Sequence, residues 1–340
     1  MLTSKAVKKF AKAHGADLVG IGSMDRWEGA PKIRDPRFIF PEAKTCISLA
    51  FRIPRGYFRG IEEGTCFAPY TAMGYAGINE IYAPSVLREV CCFIEDHGFE
   101  AVPHPNIQLK QNVDMYGKME EASRPVSPGL PPPDIMIDQR VAAFICGLGE
   151  FGWSKVFLTP EFGPLQRFVT LLTDAELEPD PIFEGKICDR CMGCARMCSG
   201  GAISMNESDT VTIAGHKIEF AKIDLAKCTL AYRGGNPHFN PFIPKDFKDY
   251  DSLGDYWQKI CEVSNLQGYQ RHCQAVEGAR GCMRECYIHL EKRGRLTKKF
   301  ASNFRKREPW CINLDEGTAP ENNNLKVKTE GVKPEKDVLM

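Results

Sequence analysis

Apolar residues recur at Leu2, Ala6, Val7, Phe10 and Ala11, the spacing of one helix face, which predicts a helix over residues 3–14. The chain turns at Gly15 into residues 16–22, a short run that reads as a buried strand. Residues 43–51 form a second strand-like run, after the proline-bounded segment 38–41. Residues 80–97 have a helical period through Ile81, Leu87, Val90 and Phe93; Gly98 ends it and residues 99–103 begin another strand. Residues 104–133 break the pattern with polar residues and prolines, among them Pro105, Pro125, Pro128 and Pro131 to Pro133. Loops of that length are often lids or binding loops. A helix is expected over 137–146, then strands over 156–159 and 167–173. The alternation implies an α+β fold built of α/β layers. From about residue 315 large apolar residues almost vanish, so an extended or disordered tail is expected.

The chemistry is concentrated in one stretch. Cys188, Cys191, Cys194 and Cys198 have the spacing C-x2-C-x2-C-x3-C. This is the ligand pattern of a bacterial [4Fe–4S] site, in which the fourth cysteine serves a second cluster. Zinc sites more often use two separated CxxC pairs. Gly200, Gly201 and Ala202 follow, small residues that let backbone approach a cluster; Ser199 stands where proline is usual. Downstream, Cys282 and Cys286 repeat the C-x3-C end of a run, with Tyr287 at the usual proline position and Ala279 where another cysteine is expected. One cluster is therefore assigned to Cys188, Cys191, Cys194 and Cys286. The other is assigned to Cys198, Cys228, Cys282 and Cys273, with Cys261 as the alternative to Cys273.

Composition narrows the setting. The chain has 340 residues, 43% hydrophobic and 26% charged, as in globular proteins. Its 15 cysteines exceed what such a protein needs. The opening residues carry no apolar signal core and no twin arginine, and no apolar run approaches the roughly 18 residues that span a bilayer. A cytoplasmic setting is expected, where thiols stay reduced and dense cysteines mean metal binding. Cys46, Cys66, Cys91, Cys92, Cys146, Cys261 and Cys311 are then expected to be small core residues. Lys plus Arg equals 44 and Asp plus Glu equals 44, so no global field favours nucleic acid. The basic run from Lys292 to Lys299, with Arg305, Lys306 and Arg307, reads as a solvated helix end.

Gly147, Gly149 and Gly152 fit G-x-G-x-x-G. They follow a predicted helix and lead into a strand, the reverse of a dinucleotide fingerprint, so NAD is not expected. Residues 15–22, 147–155, 159–164, Arg167, 173–177 and the cysteine run, taken in order, resemble the reductive dehalogenase and epoxyqueuosine reductase superfamily. Gly-Leu-Gly-Glu at 147–150 is closer to the dehalogenases. The resemblance covers about residues 3–290. It implies a nitroreductase-like corrinoid-binding core over 1–180, a ferredoxin-like double-cluster module over 181–290, and an extension over 291–340. Gly147, Leu148, Gly149, Phe151, Gly152 and Ser154 would then lie against a base-off cobalamin.

The resemblance also implies a general acid. Asp134 or Asp138, before Arg140, occupies the region of the epoxyqueuosine reductase aspartate; Tyr116 with Lys118 is the counterpart of the dehalogenase tyrosine with its basic neighbour. Helix capping competes for the aspartates, Asp134 above all, because it follows three prolines and precedes a helix. The expected activity is reduction of a small molecule, with electrons from a ferredoxin- or flavodoxin-type donor. The alternatives are a corrinoid-free electron-transfer protein and an epoxyqueuosine reductase acting on tRNA.

Overall fold

A computed structural model describes residues 1–106, 124–232, 236–242 and 281–313. Tyr116, Lys118, Cys261, Cys273 and the polar tail from 315 lie outside the described residues. At the centre is a four-stranded antiparallel sheet in the order β1-β2-β6-β3. Its strands are β1 (Leu18–Ser23), β2 (Thr45–Arg52), β3 (Ala101–His104) and β6 (Gln166–Thr173). Ile47 pairs with Leu171 and Leu49 with Val169, so alternate side chains of β2 and β6 share a face.

That alternation feeds two cores. Ile47, Leu49, Phe51, Val169 and Leu171 point to one side, where they meet Val7 and Ala11 of α1 (Ser4–Ala13) and Leu87 and Val90 of α3 (Ala83–Glu95). Cys46, Ala50, Phe168 and Leu172 point to the other, where they meet α4 (Gln139–Ile145). Both faces are covered, so the strands read as apolar runs. The predicted strands and helices of this layer all form. A feature the periodicity does not announce is a π-helix over Pro69–Tyr82, running directly into α3. No helix among the described residues is long and apolar enough to cross a membrane.

Two hairpins follow. β4 (Glu150–Phe151) pairs with β5 (Phe157–Leu158), and β7 (Ile203–Ile213) pairs with β8 (His216–Ile223) through a turn at Ala214 and Gly215. Trp153 holds the second hairpin: its carbonyl accepts from Ala221 N–H at 2.7 Å and its indole donates to the Ser204 carbonyl at 2.9 Å. The short helix α5 (Gly193–Arg196) packs on the last helix, α7 (Cys282–Lys292); α6 (Leu225–Tyr232) lies between them in sequence.

α7 is locked to the N-terminal core by charge. Glu62, on α2 (Arg59–Glu63), is 8% exposed. Its carboxylate lies 2.7 Å from Arg284 Nε and 2.6 Å from Arg305 Nε, and Arg305 reaches Glu285 at 2.7 Å. Arg307 pairs with Glu63. Part of the basic run expected at a solvated helix end is thus internal wiring. Tyr287, Ile288, Leu290 and Phe304 sit in the same apolar core as α1 and α3. Cys46, Cys91 and Cys146 are buried as expected; Cys66 and Cys311 are exposed, against expectation, because each lies on a connecting segment outside the layers.

Replacing Glu62 by Ala removes the carboxylate that Arg284, only 2% exposed, and Arg305 both face. The expected loss is about 3–5 kcal/mol, read from denaturant unfolding; a loss below ~1 kcal/mol would discount the clamp. A second prediction concerns His104. Its Nε2 lies 3.1 Å from the Ile135 carbonyl and its Nδ1 3.0 Å from Gln139 Nε2, joining β3 to the approach to α4. Burial lowers its pKa below the ordinary 6.5. The unfolded chain then binds more protons, so this stabilisation is full above that value and drains as pH falls through the folded pKa. The unfolding midpoint is expected to drop between neutral and mildly acid pH, and His104→Gln to flatten the drop; an equally steep profile in the variant would exclude His104 as its source.

Candidate functional site

The run at 188–198 forms a loop anchored on β4. Glu150 Oε1 accepts from the backbone N–H groups of Ile187 at 2.7 Å and Cys188 at 2.5 Å, tying the loop to β4. Arg190 and Met192 hold left-handed conformations with φ of 55° and 60°. Left-handed residues turn successive N–H groups inward into a concavity that suits anionic sulfur. Backbone N–H groups point at three sulfurs: Trp153 at Cys188 (3.4 Å), Gly193 at Cys191 (3.5 Å) and Ala202 at Cys198 (3.4 Å).

Helix α7 supplies the opposite wall. Burial and then the neighbouring Cys194, Cys188 and Cys191 push the Cys286 thiol up, which places all four together as the spacing implied. Burial and the same neighbours push Cys194 up to about 11. Ser154 hydrogen-bonds Cys194, so this residue, expected against a corrinoid, faces a cysteine instead. Among the described residues, the three-donor group gathered within 4.8 Å is Asp189, Cys191 and His289. Asp189 and His289 are paired at 2.9 Å, which fastens the loop to α7.

The second set converges beside the first. Cys228, exposed among the described residues, lies next to Cys198. Cys282, one turn before Cys286, packs with Cys188 and Cys198 around Trp153, Ala195 and Ile203. Both sets therefore share α7.

Beyond Cys228 and Cys282 lies a group that the sequence reading did not single out as a site. Arg167 on β6 lies on the same strand face as Val169 and Leu171 and stacks on Tyr75, its guanidinium carbon 4.0 Å from the ring centroid. Tyr232, four residues after Cys228 on α6, hydrogen-bonds this guanidinium. Tyr70 is fully buried and its hydroxyl has no partner among the described residues. Burial pushes that hydroxyl up to about 12, against the opposing charge of Arg167 and with Cys282 close by. The π-helix makes this possible: its i to i+5 turn brings Tyr70 and Tyr75 toward one side, whereas α-helical positions five apart diverge by about 140°. The sequence signal was Arg167 interrupting an otherwise apolar strand.

The other expected residues are placed differently. Asp138 caps α4, accepting from Arg140 N–H at 2.9 Å and Val141 N–H at 3.4 Å; Asp134 is exposed, with a φ of 65°. The cap assigned first to Asp134 thus belongs to Asp138, which directly precedes the helix. A Cβ on Gly147 would sit 2.2 Å from the Pro181 carbonyl oxygen, and one on Gly149 1.9 Å from that of Leu158. The chain's own backbone fills the space that these glycines leave. Leu148 and Phe151 pack with the α4 core. A groove of about 430 Å³ borders Cys188, lined by Phe151, Trp153, Phe183, Lys186 and Lys217.

Gly149→Ala is expected to cost about 1–3 kcal/mol by overpacking and to loosen the β4 anchor of the cysteine loop. Thermal unfolding and iron retention during gel filtration would check this, and an unchanged protein would show that the close approach has no weight.

No family model matches the chain. A tetrachloroethene reductive dehalogenase of Desulfitobacterium hafniense is 28% identical over 277 residues, 75% of this chain and 45% of that protein. One from Dehalobacter restrictus matches to the same extent. The chain thus spans less than half the length of these curated relatives. Among solved structures, a catabolic reductive dehalogenase aligns with 93% of this chain and 39% of its own, at 17% identity and a TM-score of 0.49. Epoxyqueuosine reductase from Streptococcus thermophilus aligns with 81% and 65%, at 16% and 0.43. The chain is thus similar, at 28% identity, to curated reductive dehalogenases.

Proposed function

We propose that the protein is an iron–sulfur reductase of the reductive dehalogenase kind, acting on a small molecule. The observation that carries this reading is the convergence of Cys188, Cys191 and Cys194 with Cys286, beside Cys198, Cys228 and Cys282. Cys188, Cys191, Cys194 and Cys286 would hold one [4Fe–4S] cluster; Cys198, Cys228, Cys282 and Cys273 would hold the other. When bound, such clusters supply electrons singly. The donor set fits them: inward N–H groups, left-handed loop residues, and thiols brought close to one another.

Reductive dehalogenation converts R–X, two electrons and a proton into R–H and X⁻. The electrons come from an external donor of ferredoxin or flavodoxin type. Tyr70, beside Cys282, holds a proton on a hydroxyl out of contact with water. Arg167 holds a positive charge next to it. In this proposal they replace Asp134 and Asp138, because Cys282 of the second cysteine set acts on Tyr70 directly. The dense free thiols suit a reducing, cytoplasmic setting.

A corrinoid enters this proposal through likeness to the superfamily. The glycines at 147 and 149, which the likeness would set against it, are closed off by the chain's own backbone. No step is assigned to it. That observation favours, as a second reading, an electron-transfer protein that uses the clusters alone.

Anaerobic purification with an iron count and a visible spectrum after adding hydroxocobalamin separates the readings. Iron near eight per chain is expected for two [4Fe–4S] clusters, and about four in Cys286→Ser. Iron near eight with no uptake of corrinoid selects the second reading. Absence of iron overturns both.

A further inference from the structure

Glu150 is a costly anchor for a loop. Its Oε1 accepts from the Ile187 N–H at 2.7 Å and the Cys188 N–H at 2.5 Å, on a side chain half-buried beside the cysteines. Burial pushes its carboxyl up, while the two amides and then Lys186 pull the other way. Lys186 is exposed, so water and salt screen its charge. Two amide donors need only an oxygen, and a neutral Gln would satisfy them without setting a carboxylate beside sulfur ligands. A local choice that is worse than its neutral alternative points to a functional demand.

The carboxylate acts on the first cysteine set in two ways. It stands one hydrogen bond from the Cys188 backbone, where a negative charge disfavours the arrival of another. It also keeps the Cys188 N–H for itself. N–H groups of this region otherwise point at sulfur: Trp153 at Cys188, Gly193 at Cys191 and Ala202 at Cys198. Net charge and hydrogen bonds to sulfur are two of the quantities that set a cluster's potential. The other carboxylates at the first set are paired, Asp189 with His289 and Glu285 with Arg305. Of the cations there, Arg190 is paired with Glu219 and Arg196 is exposed. At the second set Arg140 acts on Cys228 in the sense that favours thiolate, opposed by Asp224, which is exposed.

We infer that Glu150 sets the potential of the iron–sulfur cluster that Cys188, Cys191, Cys194 and Cys286 would hold, and keeps it below that of the neighbouring cluster. Glu150 is a positioning residue, acting through the Cys188 backbone and through space. The difference gives the electron path a direction: an electron received beside Cys188 is passed toward Cys282 and Tyr70 and not retained. The presence of the two clusters rests on the proposed function; the role of Glu150 is tested apart from it.

The test is a potentiometric titration of the full chain, purified anaerobically with its iron and followed by electron paramagnetic resonance. Two one-electron waves are expected, and the lower should be the one that Cys286→Ser loses. Glu150→Gln keeps an oxygen for both amides and removes the charge. It should retain iron near eight per chain. The lower wave should move upward by at least threefold in the reduction equilibrium, ~28 mV for one electron, and the upper wave by less. A smaller or downward shift leaves Glu150 as an anchor only and overturns the inference. Loss of the higher wave in Cys286→Ser also overturns it, and needs no variant at Glu150 to fold. Absence of iron from the wild-type chain overturns the proposed function and this inference together, whereas iron near eight with unmoved waves overturns this inference alone.

Discussion

Glu62 is a carboxylate almost out of water, held between the guanidiniums of Arg284 and Arg305. Neither partner tolerates that burial alone, so three segments far apart in sequence are obliged to meet: α2, the start of α7 and the segment after it. The consequence is rotational. Arg284, Tyr287 and Ile288 turn toward the core, which leaves Cys282 and Cys286, one helical turn apart, facing the cysteine loop. His289 extends the same face and grips Asp189. A buried ion pair of this kind adds little net stability over a hydrophobic substitute. What it supplies is register: rotate α7 by one residue and the sulfurs leave the loop.

Around that constraint the structure collects local conflicts. Two non-glycine residues in the loop are left-handed, a helix is wound to the π form, thiols are buried against one another, and the Arg167 guanidinium keeps two nitrogens without a partner among the described residues. Each is unfavourable alone. Proteins keep such conflicts where function needs them. In the sheet, by contrast, the apolar residues of β2 and β6 go to the layer that their parity dictates.

The glycines at 147 and 149 warn against reading a pattern without its neighbours. Their spacing imitates a ligand-binding loop. In space they let β5 and the segment at Pro181 press against the chain end of α4. Close approach was the right physical inference; the approaching group is backbone. Ser154 shows the same displacement, from an expected cofactor wall to a hydrogen bond with Cys194.

The layer elements were legible because strands and helices have short periods that burial on one or two faces imprints directly. Cys188, Cys191, Cys194 and Cys198 were legible because a cluster loop fixes ligand spacing within one turn of chain. Cys286 was reachable only by analogy with that spacing, and its approach to the loop depends on Glu62, which no local pattern connects to it. Asp138 and not Asp134 became the cap because position relative to the first helical turn decides capping, and boundaries are set by packing. The Arg167 group was not legible: its members at 70, 75, 167 and 232 come from a π-helix, a strand and a separate helix. Sequence alone determined what is periodic or contiguous. The tertiary structure decided which distant charges and hydroxyls share one dry space, because only the folded chain brings them within reach of one another and excludes water from between them.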